Sequence, residues 1–373
     1  MTSAATITPS AGAPRKEYYP ILDALRFVLA AWVVMGHFGE PPLFAGADSS
    51  NRFVWALMHG WSTIVFGVPA VIGFFVISGF CIHLPFRHDE KLPIGRYYAR
   101  RYTRILIPVV AALAIDRLAG SHDPIFGRNT VLWTSVLWSL LCEEIYYAVY
   151  PGMRVLRKRF GWPVLLSASF LSATVAAIVH WKAPNWTDVG PLQTALILYP
   201  VWLLGCVLAE QSDKLPAIDS AATIWKWRFL AWAGSWVCEM LNFHFGIPYT
   251  QTLLWYGILA FFWIQKEIAY GKHNKPSALL VSGGAWSYSL YLFHEPAMQI
   301  LGRLRLPNLG YMPNWLVLFA FILSSSYVFY LMIERPSHRL ARMFHTTSRG
   351  ETRSSKSVAA GPEPESVPGV PGA

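Results

Sequence analysis

Cysteine is scarce, with four in 373 residues. Cys81, Cys142, Cys206 and Cys238 each sit in an apolar run. That excludes a disulfide framework and any metal-ligand spacing, and leaves buried, inert thiols and no bound metal as the expectation. Charge is scarce too: Asp, Glu, Lys and Arg make up 14% of the chain, and the stretch from Phe53 to Phe86 contains none of them. A cleavable leader is not expected, because residues 1–20 carry Arg15 and Lys16 but no apolar core followed by a small-residue cleavage site. No internal repeat is visible. What the chain has in place of these is apolar and aromatic mass. Hydrophobic residues are 54% of it, seventeen of them Trp, and that balance points to a polytopic membrane protein.

The apolar runs predict an all-α bundle of about ten transmembrane helices. The expected spans are Ile21–His37, Ser62–Leu84, Ile105–Ile115, Val131–Tyr150, Trp162–Trp181, Leu192–Leu208, Phe229–Phe245, Thr250–Trp263, Leu279–Leu301 and Trp315–Ile333. The segment before the second span, with Trp55 and Trp61, is expected to lie along the membrane interface. Residues 1–17 and 345–373 read as disordered, with the membrane domain over 18–344. The stretches Arg87–Arg104 and Arg154–Arg159 read as basic loops. If the loops alternate in side, 24 of the 31 Lys and Arg fall with the termini and six fall opposite, Arg26 being inside a span. The positive-inside rule then places both termini in the cytoplasm and the chain in the inner, or plasma, membrane. The net charge of +10 is thus mainly topological. A nucleic-acid partner needs a basic face on a soluble module, and none is visible.

The first span carries unusual residues. Arg26 and His37 are eleven positions apart, roughly three helical turns, so they share a face about 16 Å apart along the axis. An arginine at mid-membrane costs about 2.5–3.5 kcal/mol, and such residues usually face a protein interior or a wet cavity. The plainer reading is that Arg26 snorkels to the surface paired with Asp23, and that His37 merely ends the helix.

Six segments tilt the balance. Leu22-Asp23-Ala24-Leu25-Arg26 with His37, Phe74-Phe75-Val76-Ile77-Ser78-Gly79-Phe80, Arg100-Arg101-Tyr102-Thr103-Arg104-Ile105 with Pro108, Trp138-Ser139-Leu140-Leu141-Cys142-Glu143-Glu144 with Tyr146-Tyr147, Trp286 to His294, and Glu334-Arg335-Pro336 follow one another in order. Together they resemble acyltransferase family 3, the integral membrane O-acyltransferases that modify bacterial sugars and lipids. Glu295 departs from the pattern, since many relatives have an aromatic residue there. The extra soluble hydrolase-like domain of some members is not seen.

The resemblance implies that His37 is the catalytic residue, with an imidazole able to take a hydroxyl proton at neutral pH. The acceptor oxygen would attack the thioester of acetyl-CoA or another acyl-CoA; a covalent acyl-histidine route is equally open. Arg26 would bind a donor phosphate or stabilise developing charge, its alternative being the Asp23 pair. Glu143 shares a helix face with Ser139 and would orient His37 or the acceptor hydroxyl, or else form a structural ion pair; Glu144 points elsewhere and reads as structural. Arg100, Arg101 and Arg104 suit the phosphates of coenzyme A, or equally lipid headgroups and topology. Ser78-Gly79 would let a ligand approach the backbone, or let two helices pack closely. Glu239, His244, His294 and Glu295 line an acceptor cavity or form buried polar pairs, and no role is assigned to them. The expected partners are an acyl-CoA donor, a carbohydrate or glycolipid acceptor and membrane lipids. A reading from another class, a transporter or flippase for a glycan or lipid intermediate, places the same charges along a path.

Overall fold

A computed structural model describes residues 17–121, 135–183, 186–304 and 307–344. The expected N-terminal disorder through Lys16, the tail from His345, the start of the fourth span at Val131, and Arg128 and Arg305 lie outside the described residues. Within them the chain is helical, with no strand. The helices are α1 (Pro20–Phe38), α2 (Arg52–Ser62), α3 (Val68–His83), α4 (Ile94–Leu118), α5 (Leu137–Val179), α6 (Pro191–Gln211), α7 (Ala221–Phe245), α8 (Tyr249–Gly271), α9 (Ala278–Gly284), α10 (Ser287–Arg303) and α11 (Tyr311–Phe329). Five stretches among the described residues are long and apolar enough to cross a membrane: Pro20–Phe38, Val68–Phe86, Leu137–Val179, Pro191–Lys214 and Tyr311–Phe344.

Local chemistry explains several boundaries. Proline at the first position of α1, with its φ already helical and no N–H to lose, starts that helix. Asn51 caps α2 by accepting from the amides of Phe53 and Val54, and Ser220 caps α7 by accepting from Thr223. α2 buries no residue.

Three expectations need correction. The basic stretch ahead of the third span is a loop only as far as Pro93, and Arg96, Arg100, Arg101 and Arg104 are already helical in α4. Arg154–Arg159 is no loop either. α5 runs through it and breaks at Gly161, whose φ of 76° only glycine adopts readily. The ninth span is two helices, α9 and α10, separated at Ala285-Trp286.

The core is organised by a close crossing of α3 and α6. A Cβ on Gly79 would overlap the Trp202 carbonyl, and one on Gly205 would overlap the Val76 carbonyl. α3 is continuous through Ser78-Gly79, so this glycine serves backbone-to-backbone packing. Trp202, Tyr146, Tyr150, Phe75 and Phe80 are buried around the crossing.

The helix ends cohere into two sets. In one, Arg87 Nη2 donates to Glu17 at 2.7 Å and to Asp213 at 2.9 Å. Arg157 pairs with Asp89 at 2.9 Å and with Glu210 at 2.6 Å, and Lys272 Nζ donates to the Leu215 carbonyl at 2.6 Å. In the other, the Trp315 indole donates to the Gly39 carbonyl at 3.0 Å and the Trp61 indole to that of Pro41 at 2.8 Å. Gln251 donates to the carbonyl of Ala177 there as well.

Candidate active site

The six sequence segments converge on one cavity of about 480 Å³, within the range of small-molecule sites. Each segment contributes to its wall: Arg26 from α1, Ser78 from α3, Arg101 and Arg104 from α4, Ser139 and Glu143 from α5, Tyr288 and Tyr291 from α10, and Glu334 from the end of α11. Asp23, His338 and Arg342 add further charged and titratable groups to the lining. Four guanidiniums therefore face three carboxylates.

Arg26 is paired with Asp23 and also lines the cavity. Its Nη1 donates to Asp23 Oδ1 at 2.9 Å, its Nη2 lies 2.9 Å from Cys81 Sγ, and the group still lines the cavity. On α4, Arg101 and Arg104 reach the wall while Arg100 does not. The shared face is set by a spacing of three, not by the four-residue spacing of Arg100 and Arg104. The Arg101 guanidinium lies 5.3 Å from the centre of the Tyr147 ring, a cation–π placement.

Glu143 ends a directed chain of hydrogen bonds. The Trp202 indole, a donor only, gives its hydrogen to Ser78 Oγ at 3.2 Å. Ser78 and Tyr147 hydroxyls are 2.8 Å apart, and Tyr147 donates to Glu143 Oε2 at 3.0 Å. Because Tyr147 spends its one proton on Glu143, Ser78 donates onward to Tyr147, and Glu143 Oε2 is an acceptor. Glu144 stays out of the wall, and its carboxylate oxygens are buried without a hydrogen-bond partner.

The C-terminal helix supplies Glu334, which the sequence reading gives no role, and His338 and Arg342, which it passes over. Residues Tyr330–Glu334 form a π-helical turn and the helix then continues to Phe344. Such a turn inserts one residue and rotates the succeeding side chains about the helix axis. Glu334, His338 and Arg342 then share one face at steps of four and meet the cavity. Glu334 is buried and accepts from both the amide and the hydroxyl of Ser289. The spacing is legible in the sequence, but the expected tenth span stops at Ile333, one residue short of it.

His37 lies beyond the cavity wall. The wall ends at Phe74 and Tyr291, whose rings meet edge to face at 5.8 Å. The Tyr291 hydroxyl is tied down by Ser139 at 2.6 Å and by the Val136 carbonyl at 2.7 Å. The ring of His294 is 6.2 Å from that of Tyr291 and 5.1 Å from that of His37, whose plane is 20° from its own. His37 Nδ1 is 3.0 Å from His294 Nε2, and His37 itself is exposed. The partnership of His37 and His294 has no local signal, for 257 positions separate them.

Comparison with known proteins gives a family for the chain as a whole. A family described as an acyltransferase domain, the third acyltransferase family, matches residues 19–331. The chain is similar to the acyltransferase MdmB of Streptomyces mycarofaciens, with 24% identity over 381 residues, covering 88% of this chain and 93% of that one. It is also 22% identical over 229 residues to cytochrome c oxidase subunit 1 of Bacillus sp. (strain PS3), covering 57% of this chain. That match takes in only 35% of the oxidase subunit, so the chain spans about a third of it. No solved structure matches significantly.

Proposed function

Since the chain belongs to acyltransferase family 3, we propose that it is a membrane O-acyltransferase that moves an acyl group, acetyl in the first instance, from acyl-CoA to a hydroxyl of a carbohydrate or lipid-linked sugar. The observation that carries this reading is the meeting of all six family-like segments in one arginine-lined cavity. Arg101, Arg104 and Arg342 suit a donor rich in phosphate, because guanidinium forks match phosphate oxygens. Arg26 lines the same cavity and adds a fourth guanidinium for the donor's phosphates. His37 takes the hydroxyl proton, the acceptor oxygen bonds to the acyl carbon, and the carbon–sulfur bond breaks. Coenzyme A leaves as the thiol after recovering the proton.

The same reading places ten crossings in the inner, or plasma, membrane with both termini cytoplasmic. Two observations support it. Lys and Arg are concentrated on alternate loops, and the helix ends that bond to each other are those the alternation puts on one side. The donor cavity, with Arg101 and Arg342 in its wall, then faces the cytoplasmic pool of acyl-CoA. His37 lies nearer the opposite side.

The test is release of free thiol by the purified protein supplied with acetyl-CoA and envelope glycan. Thiol release that needs both acceptor and His37 supports the reading, whereas glycan movement across a vesicle membrane without thiol release replaces it by transport. Mass spectrometry of envelope glycans from a deletion strain and its parent identifies the acceptor through the acyl mass lost.

A further inference from the structure

The contact between His37 and His294 determines more than a distance. His294 is wholly buried in α10. Its Nδ1 lies 2.7 Å from the carbonyl oxygen of Tyr291 and 3.3 Å from that of Leu290. A carbonyl only accepts, so the neutral ring carries its proton on Nδ1. Its Nε2 is then a bare lone pair, and that atom faces His37 Nδ1 at 3.0 Å. The hydrogen bond exists only if His37 Nδ1 bears a proton and donates it. The other nitrogen of His37, Nε2, is left with its lone pair, in a residue that is exposed. The bond made at one nitrogen of an imidazole decides the protonation of the other.

With His37 as the base of acyl transfer, as proposed above, we infer that His294 is a positioning residue that selects the reactive tautomer of His37. It does for His37 what the buried carboxylate does for the histidine of a Ser-His-Asp triad, through a neutral ring in place of a charge. The difference suits an apolar span, where an unpaired carboxylate would be costly. In the transfer step the acceptor O–H gives its proton to His37 Nε2 while the oxygen bonds to the acyl carbon. The imidazolium so formed keeps its Nδ1–H on His294, and the proton on Nε2 passes to the departing sulfur as the carbon–sulfur bond breaks. His294 itself exchanges no proton, because its Nδ1–H stays on the backbone carbonyls.

Two substitutions separate positioning from packing. His294→Phe keeps a flat ring and removes the acceptor. His294→Gln places an amide oxygen near the site of Nε2 and restores an acceptor. The Phe variant is expected to lose about 10²-fold or more in kcat, within the range for loss of a general base or its orienting partner, with the KM for acyl-CoA unchanged. The Gln variant is expected to recover a substantial part of that loss. Nitrogen-15 NMR of histidine-labelled protein reads the tautomer directly, with His37→Ala and His294→Phe assigning the two signals. The wild-type protein should show His37 protonated at Nδ1 and bare at Nε2, and the Phe variant should lose that preference. A wild-type His37 protonated at Nε2, or a folded Phe variant at full kcat, overturns the inference. If neither His294 variant folds, the wild-type spectrum, with His37→Ala giving the assignment, decides alone. If instead acyl transfer itself is not found, the spectrum still reports on the pairing, so the two failures are told apart.

Discussion

Arginine at 101 and 104 is placed to do what arginine at 100 is not. All three share α4, but only Arg101 and Arg104 reach the cavity. Each charge-assisted bond to phosphate is worth about 1.5–3 kcal/mol. Arg101→Ala with Arg104→Ala should therefore raise the KM for acyl-CoA by about 10²-fold or more, while Arg100→Ala changes it little; steady-state kinetics at saturating acceptor reads both. His37→Ala should abolish transfer and leave donor binding near that of the wild type, which isothermal titration of the purified variants checks. Arg26→Lys should not restore activity, because Arg26 spends one arm of its fork on Asp23 and a point charge cannot serve two directions at once. At this scale much is legible from sequence: Arg26, Ser78, Arg101, Arg104 and Glu143 all face the cavity. Residues whose meaning depends on a distant partner are not. His294 is an ordinary histidine in an apolar helix until α1 is packed beside it.

At the scale of elements, two glycines decide how the bundle closes. Gly79 and Gly205 let α3 and α6 touch backbone to backbone, and a larger side chain at either must push the helices apart. Overpacking of this kind costs about 1–3 kcal/mol. Gly79→Leu and Gly205→Leu should lower the unfolding temperature and the monodisperse yield in detergent. Gly152→Ala, whose added carbon meets open space, should do neither. The helices themselves are largely readable, since α1, α6 and α7 track the apolar runs. Two of the three misreadings share one cause. Charged residues at 96–104 and 154–159 read as loops because charge marks water, yet a helix can leave the apolar layer and carry its arginines onward. The π-turn at Tyr330–Glu334 is equally silent in sequence, since it depends on one extra residue in the turn and not on residue type.

The whole molecule is polar at two ends and asymmetric between them. The end holding Glu17, Arg87, Arg157, Glu210 and Asp213 is laced by ion pairs, and the end holding Gly39, Pro41 and Trp315 by indole bonds to backbone. Reporter fusions after residues 40 and 247 should read outside, and after 90 and 215 inside; an outside signal after 90 sinks the ten-crossing arrangement. The sidedness has a consequence for the energy of the cell. In the topology proposed above, the cavity opens on one side and the exposed His37 on the other, with the edge-to-face rings of Phe74 and Tyr291, and His294 behind them, as the partition. Across a potential of 100 mV each ion that slips through dissipates about 2.3 kcal/mol. The partition is thus an insulator as well as a wall. Liposomes holding the intact protein should keep an imposed proton gradient, and liposomes holding Phe74→Gly should lose it, as a pH-sensitive dye would report. Two rings in contact are then all that separates the cavity from an ion leak.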